Sequence, residues 1–180
     1  MVNFTRAAAA LALAATVSAA PASTAVKATE TTSELTWTVS KFDFHADYIF
    51  STPAHQNSWG YVNFALSSDK TELVYSCSTA SNRLTDFFYG ETEYQCAAPE
   101  GAPEGSAASF KYNRTDGTLV LSETVVAADE TYTASGSTTI QTTCTDETTG
   151  PSPTWVVGEI YTWRKVVCEE VDATVVGTVA

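Results

Sequence analysis

The sequence predicts an all-β protein, a single-domain antiparallel barrel or sandwich stabilised by two disulfides. Three observations point there. Thr and Ser make up about a quarter of the 180 residues, and 8 Phe, 8 Tyr and 4 Trp join them, a composition suited to pleated, half-buried strands. Apolar and polar residues alternate in short runs separated by turn signals. No stretch reads as an amphipathic helix with caps. The length fits one domain with a sizeable core.

Taken in order, MVNFTRAAAALALAATVSAAPA has a positive start at Arg6 and an apolar run from Ala7 to Val17, followed by small residues. This is a signal-peptide pattern, too short to span a bilayer. Pro21 disfavours cleavage after Ala20, so residues 1–19 are read as the signal peptide. Residues 20–34 are small and polar, a flexible leader. The domain proper is read as 35–180. Leu35, Trp37 and Val39 alternate with Thr36, Thr38 and Ser40 as a strand. DFHADYIFSTPAHQNS shows no clean period and is read as a long loop or irregular edge. In WGYVNFAL, Trp59, Tyr61 and Asn63 share one face and Val62, Phe64 and Leu66 the other. TELVYSCS follows after a tight turn, and the two form a hairpin candidate.

Residues 82–90 are expected to be irregular. The tandem APEG within 97–108 is expected to be a mobile surface loop. SFKYN, TLVLSETVV and ETYTASGSTTI are three further strands, with Asp116-Gly117 a strong hairpin signal between the first two. Residues 144–154 are read as loop. WVVGEIYTWRKVVC is read as strand, with a bend at Gly158.

Secretion places Cys77, Cys96, Cys144 and Cys168 in an oxidising compartment, where they are read as two disulfides. Three connectivities are possible. Nearest-neighbour pairing, Cys77–Cys96 and Cys144–Cys168, is favoured because each pair flanks a turn region. No metal site is expected, since no C-x-x-C occurs and His45 and His55 lie far from the cysteines. Asn113-Arg114-Thr115 is a glycosylation sequon in the turn-like run NRTDG.

Charge narrows the partners. The formal net charge is -12, with 9 basic residues against 21 acidic. Loss of Arg6 with the signal peptide takes it to about -13. Nucleic acid and anionic membranes are therefore excluded as partners. Catalytic sets are sparse. There is no G-x-S-x-G elbow. His45, flanked by Asp43 and Asp47, and His55 are read as exposed loop histidines. A mature N-terminus at Ala20 offers no histidine brace for copper. Glu72, Glu91, Glu93, Glu123 and Glu159 are candidates for a glycosidase carboxylate pair, though none sits in a strong motif. Trp37, Trp59, Trp155 and Trp163 are expected to fill the core or cap its ends, with carbohydrate stacking as the alternative.

The runs Trp37–Phe42, Asn57–Phe64 and Leu73–Ser78, then Tyr94-Gln95-Cys96, Phe110-Lys111-Tyr112, Leu119-Val120-Leu121 and Asp129–Ala134, occur in an order that resembles the Alternaria major allergen family. The resemblance covers residues 35 to about 136. It implies a secreted fungal β-barrel with no enzymatic activity and no cofactor, with Cys77–Cys96 and Cys144–Cys168 bonded. It also implies partners among host extracellular proteins, plant thaumatin-like defence proteins in particular, while the acidic charge balance by itself suits a basic protein partner. The best-known member has an extra cysteine near its mature N-terminus that links two chains. None precedes Cys77 here, so a covalent dimer is not expected, and a non-covalent dimer is left open. The APEG loop reads as an insertion, and residues 145–167 show no clear correspondence to the family. The reading is therefore a secreted, non-enzymatic effector or allergen-like protein that modulates host immunity. The alternative is a small carbohydrate-active protein, either a glycosidase or a carbohydrate-binding module.

Overall fold

The computed structural model describes residues 34–127 and 130–180. The signal-peptide and leader readings, residue 34 apart, fall outside them, as do residues 128 and 129. The described residues contain ten strands and no helix: β1 (Glu34–Thr52), β2 (His55–Ser68), β3 (Val74–Ser81), β4 (Tyr94–Gln95), β5 (Ala107–Asn113), β6 (Thr118–Ala127), β7 (Glu130–Thr139), β8 (Cys144–Thr149), β9 (Thr162–Cys168) and β10 (Val171–Val179). All strand pairs are antiparallel, in the order β3-β2-β1-β10-β7-β6-β5-β4. The expected all-β architecture with two disulfides is the one found.

The sheet curls until its two edges meet. Ser76 of β3 and Ala97, just past β4, exchange N–H···O bonds of 2.9 and 2.7 Å. The Cys77–Cys96 bond lies beside that seam. The barrel is therefore nearly closed, with the β3 and β4 edges brought against each other.

β1 organises the rest, and here the sequence reading needs correction. Residues 43–58, read as a long loop or irregular edge, instead supply the second half of a 19-residue strand through Thr52 and then the start of β2 from His55. Leu35, Trp37 and Val39 point inward, then Phe42, Phe44, Ala46 and Tyr48 do so. The inward parity switches from odd to even at a bulge between Val39 and Phe42. Lys41 carries the bulge at φ 55, and its N–H donates to Asp172 Oδ1 at 2.8 Å. The extra residue breaks the apparent period, which is why two strand halves look like a strand and a loop. The first half of β1 pairs with β10 and the second half with β9. β9 is extended sideways by β8, so β8 and β9 form a wing beside the barrel.

Two other readings change. Residues 144–149, read as loop, form β8. Strand at 155–168 is confined to β9. Residues 155–161 are irregular, with Gly158 at φ 109 and Trp155 Nε1 donating to the Glu159 carbonyl at 3.0 Å. The two APEG units form consecutive turns, closed by Ala102 N–H to Pro99 O (3.2 Å) and Ser106 N–H to Pro103 O (3.0 Å). Each has a positive-φ glycine in third place, as a type II turn requires.

The core is largely aromatic. Phe42, Phe64 and Phe110 form one contiguous stack with Tyr112, Tyr94, Phe88 and Phe44, at centroid separations of 4.9 to 6.3 Å. Trp37 fills the other part. Its indole enters a notch made by Gly136 and Gly177, which pair across β7 and β10. A Cβ on either glycine would collide with the ring.

Candidate functional site

Each candidate residue from the sequence can now be placed. Glu123 is inside the barrel, 1% exposed, and accepts a 2.7 Å hydrogen bond from Trp37 Nε1. Burial raises its pKa, against hydrogen bonds from Trp37 and Ser68 that lower it. Its Oε1 and the Tyr75 hydroxyl have no partner, and burial pushes the Tyr75 phenol up to about 12. Walled in by Trp37, Glu123 has no route to a sugar substrate. Glu72, Glu91, Glu93 and Glu159 are all exposed, Glu91 and Glu93 together on the segment before β4 and the other two elsewhere in the chain. Glu91 pairs with Arg83 at 3.3 Å, and Glu93 accepts from Ser109 Oγ at 2.6 Å.

The histidines are on strands, which corrects the loop reading. His45 is in mid-β1, its Nδ1 2.8 Å from Asp43 Oδ2 and its ring stacked 4.8 Å from Tyr61. His55 starts β2, its Nδ1 2.8 Å from Ser51 Oγ. The aspartate and the serine thus serve different histidines, and no Ser-His-Asp set forms among these residues. The described residues hold no cluster of three or more His, Cys, Asp or Glu side chains with metal-ligand geometry.

The disulfides join Cys77 to Cys96 and Cys144 to Cys168, the nearest-neighbour pairing. The second clamps β8 to β9 where they leave the barrel. Asn113 ends β5, its Oδ1 accepting from Thr115 N–H at 3.0 Å and its Nδ2 donating to Asp116 at 3.2 Å. Bonds from Thr118 hold the Asp116 carboxyl below its usual range.

The tryptophans diverge from expectation. Trp37 alone is in the core, whereas Trp59 is 39% exposed and Trp163 41%. Both occupy the outer face of β2, β1 and β9. Asp47 of β1 is opposite Trp59 on one side and Lys165 on the other, with Trp163 opposite Ile49. Strand spacing and rise put the two tryptophan Cα atoms about 12 Å apart. Trp163 Nε1 donates to Asp47 Oδ1 at 2.9 Å. To reach from β9 to β1 its indole lies along the sheet, leaving a ring face to solvent. A polar chain continues the surface, with Ser78 Oγ donating to Asn63 Oδ1 (2.6 Å) and Asn63 Nδ2 to Asp43 (3.2 Å), the carboxylate shared with His45. Val167 adds exposed apolar area beside His45. The even/odd pattern of WGYVNFAL put Trp59 and Tyr61 on one face, and that signal already opposed burying Trp59 with Val62 and Phe64.

The described residues thus form a disulfide-tied antiparallel barrel with one buried carboxylate, Glu123, and with two exposed tryptophans on the outer sheet face. The chain belongs to the Alternaria alternata allergen 1 family, whose model matches residues 39–168. The match runs through Cys168, past residue 136 where the resemblance of the individual runs ends, and so takes in the β8–β9 wing. Comparisons with curated proteins and with solved structures found no match. The family description names an allergen and no reaction.

Proposed function

We propose that this is a secreted, non-enzymatic recognition protein of effector type that binds a basic extracellular host protein through the outer face of β2, β1 and β9. The observation that carries the reading is the pair of exposed indoles, Trp59 and Trp163, on either side of Asp47. Exposed large apolar side chains on a sheet face mark interaction surfaces, and tryptophan is enriched among the residues that dominate binding energy. Asp43, Asp47 and the chain's excess of acidic residues favour a basic partner, and complementary charge speeds its encounter. The family resemblance suggests a thaumatin-like defence protein as the first partner to try. The signal-peptide pattern, the two disulfides and the family support secretion.

The test is surface plasmon resonance against an immobilised basic thaumatin-like protein. Trp59→Ala and Trp163→Ala are each expected to weaken binding at least tenfold while melting like the parent. Parent-like affinity in both variants would refute the surface assignment. We also propose that Asn113 carries an N-linked glycan when the protein is secreted from a eukaryotic cell, because the side chain is half-exposed at a turn. Intact-mass measurement should show a glycan increment that Asn113→Gln abolishes.

A further inference from the structure

A groove of about 910 Å³ opens between the β5–β6 turn, the 139–142 segment and the β8–β9 wing. It is on the inner side of β1, the opposite side from Trp59 and Trp163. Phe44, Tyr48, Phe50, Tyr112 and Ile140 contribute its floor. Two guanidiniums stand over that floor. Arg114 is 4.5 Å above the Phe44 ring and donates through Nη1 to the Tyr48 hydroxyl at 2.9 Å and to Asp86 Oδ1 at 3.3 Å. Arg164 is 4.7 Å above the Tyr48 ring, and its Nε donates to Asp146 at 2.9 Å. Stacking fixes both planar groups, so their donors are held in place before any ligand arrives.

The segment that brings Asp86 to the groove is strained. Thr85 has φ 82 and Phe87 φ 63, a region that β-branched and bulky residues rarely adopt. Phe87 is buried against Gly60 and Tyr48, and the Tyr48 hydroxyl donates to Thr85 O at 3.0 Å. Strain of this kind collects at ligand sites, where packing overrides local preference. The hydrogen bonds of this cluster engage Arg114 through Nη1, Arg164 through Nε and Nη2, and Asp86 through Oδ1.

The groups present narrow the ligand class. Arg114 and Arg164 face Asp86, Asp116 and Asp146, so an anion gains no net attraction. A cation would meet carboxylates already engaged, since Asp86 is paired with Arg114 and Asp146 with Arg164. A purely apolar ligand would strip water from the Arg114–Asp86 pair and give nothing back, which costs more than its contacts return. A neutral polyhydroxylated ligand answers both sides, since hydroxyls accept from arginine and donate to aspartate. Its C–H face can lie against Phe50, the least buried ring of the floor. The volume falls within the roughly 300–1,000 Å³ typical of ligand sites. We propose that this groove binds a short neutral oligosaccharide, with hydroxyls bridging Arg114 and Asp86 and a sugar face packed on Phe50.

The experiment is an NMR titration of the disulfide-intact protein, deglycosylated so that no glycan at Asn113 competes. The probes are cellotetraose, laminaritetraose and chitotetraose, with tetragalacturonate as the anionic comparison. The expected result is saturable shifts at the amides of residues 85–87, 114–116 and 140–142 with at least one neutral probe. Asp86→Asn should weaken that binding at least tenfold, and Trp163→Ala should leave it unchanged. If Asp86→Asn melts below the parent, Gln141→Ala, an exposed change on the groove wall, replaces it and is expected to weaken binding at least threefold. Shifts that map to Trp59 and Trp163, preference for tetragalacturonate, or no response to any neutral tetrasaccharide would each overturn the proposal.

Discussion

Glu123 shows how one side chain can set the stability profile of the barrel. Its pKa is raised in the fold, chiefly by burial, so the folded protein binds this proton more tightly than the unfolded chain does. Stability therefore falls as pH rises from the ordinary value of 4.5 through the raised one. Above that range the barrel holds a buried carboxylate whose Oε1 is unpartnered. Glu123→Gln keeps an oxygen for the Trp37 indole and removes the titration. Thermal melts from pH 4 to 8 should show this decline in the parent and a flatter profile in the variant, with the variant the more stable at pH 8. Gly177 gives a second residue-scale prediction. Gly177→Ala drives a methyl into the Trp37 ring, and overpacking of this kind costs about 1–3 kcal/mol. Chemical denaturation should read that loss, and Trp37→Phe in the same background should recover part of it.

Among the elements, the disulfides hold different structures. Cys77–Cys96 guards a seam whose described backbone pairing is the single Ser76–Ala97 bridge. Cys144–Cys168 secures the two-stranded wing. Their loops, of 19 and 24 residues by sequence separation, predict similar losses of about 3 kcal/mol. Hydrogen exchange should separate them. The Cys77→Ser/Cys96→Ala variant should lose protection at β3 and β4, and the Cys144→Ser/Cys168→Ala variant at β8 and β9. The hairpins β2–β3 and β5–β6 were legible from alternation and from Asp116-Gly117, because each is local and keeps one register. The second half of β1 was not, because one extra residue at Lys41 reverses which side chains face inward. β8 was missed for another reason. All six of its residues are exposed, so no inside face leaves a period in the sequence. The candidate site divides the same way. Trp59 and Tyr61 share a face that can be read from β2 alone, whereas Trp163 beside Asp47 needs the pairing of strands more than a hundred residues apart.

At the scale of the whole molecule, 21 acidic residues against 9 basic ones set how a partner approaches. Association with a basic protein should slow markedly between 50 and 500 mM NaCl, about the range over which the Debye length falls from well above to below 10 Å. Dissociation should change less, because the indole contacts of the outer face are short-range. Stopped-flow or plasmon-resonance kinetics across that series would show it, and an association rate indifferent to salt would count against electrostatic steering.

The pairing of β1 with β10 has a mechanical consequence. Glu34 sits opposite Thr178 in an antiparallel ladder, so the first described strand and the last leave the barrel side by side. A pull between these two ends would part the ladder one bond at a time, as a zip opens, instead of shearing all its bonds together. The same neighbourhood means that a short linker could join the ends and new termini could be cut elsewhere, the β5–β6 turn or an APEG turn among the places to try.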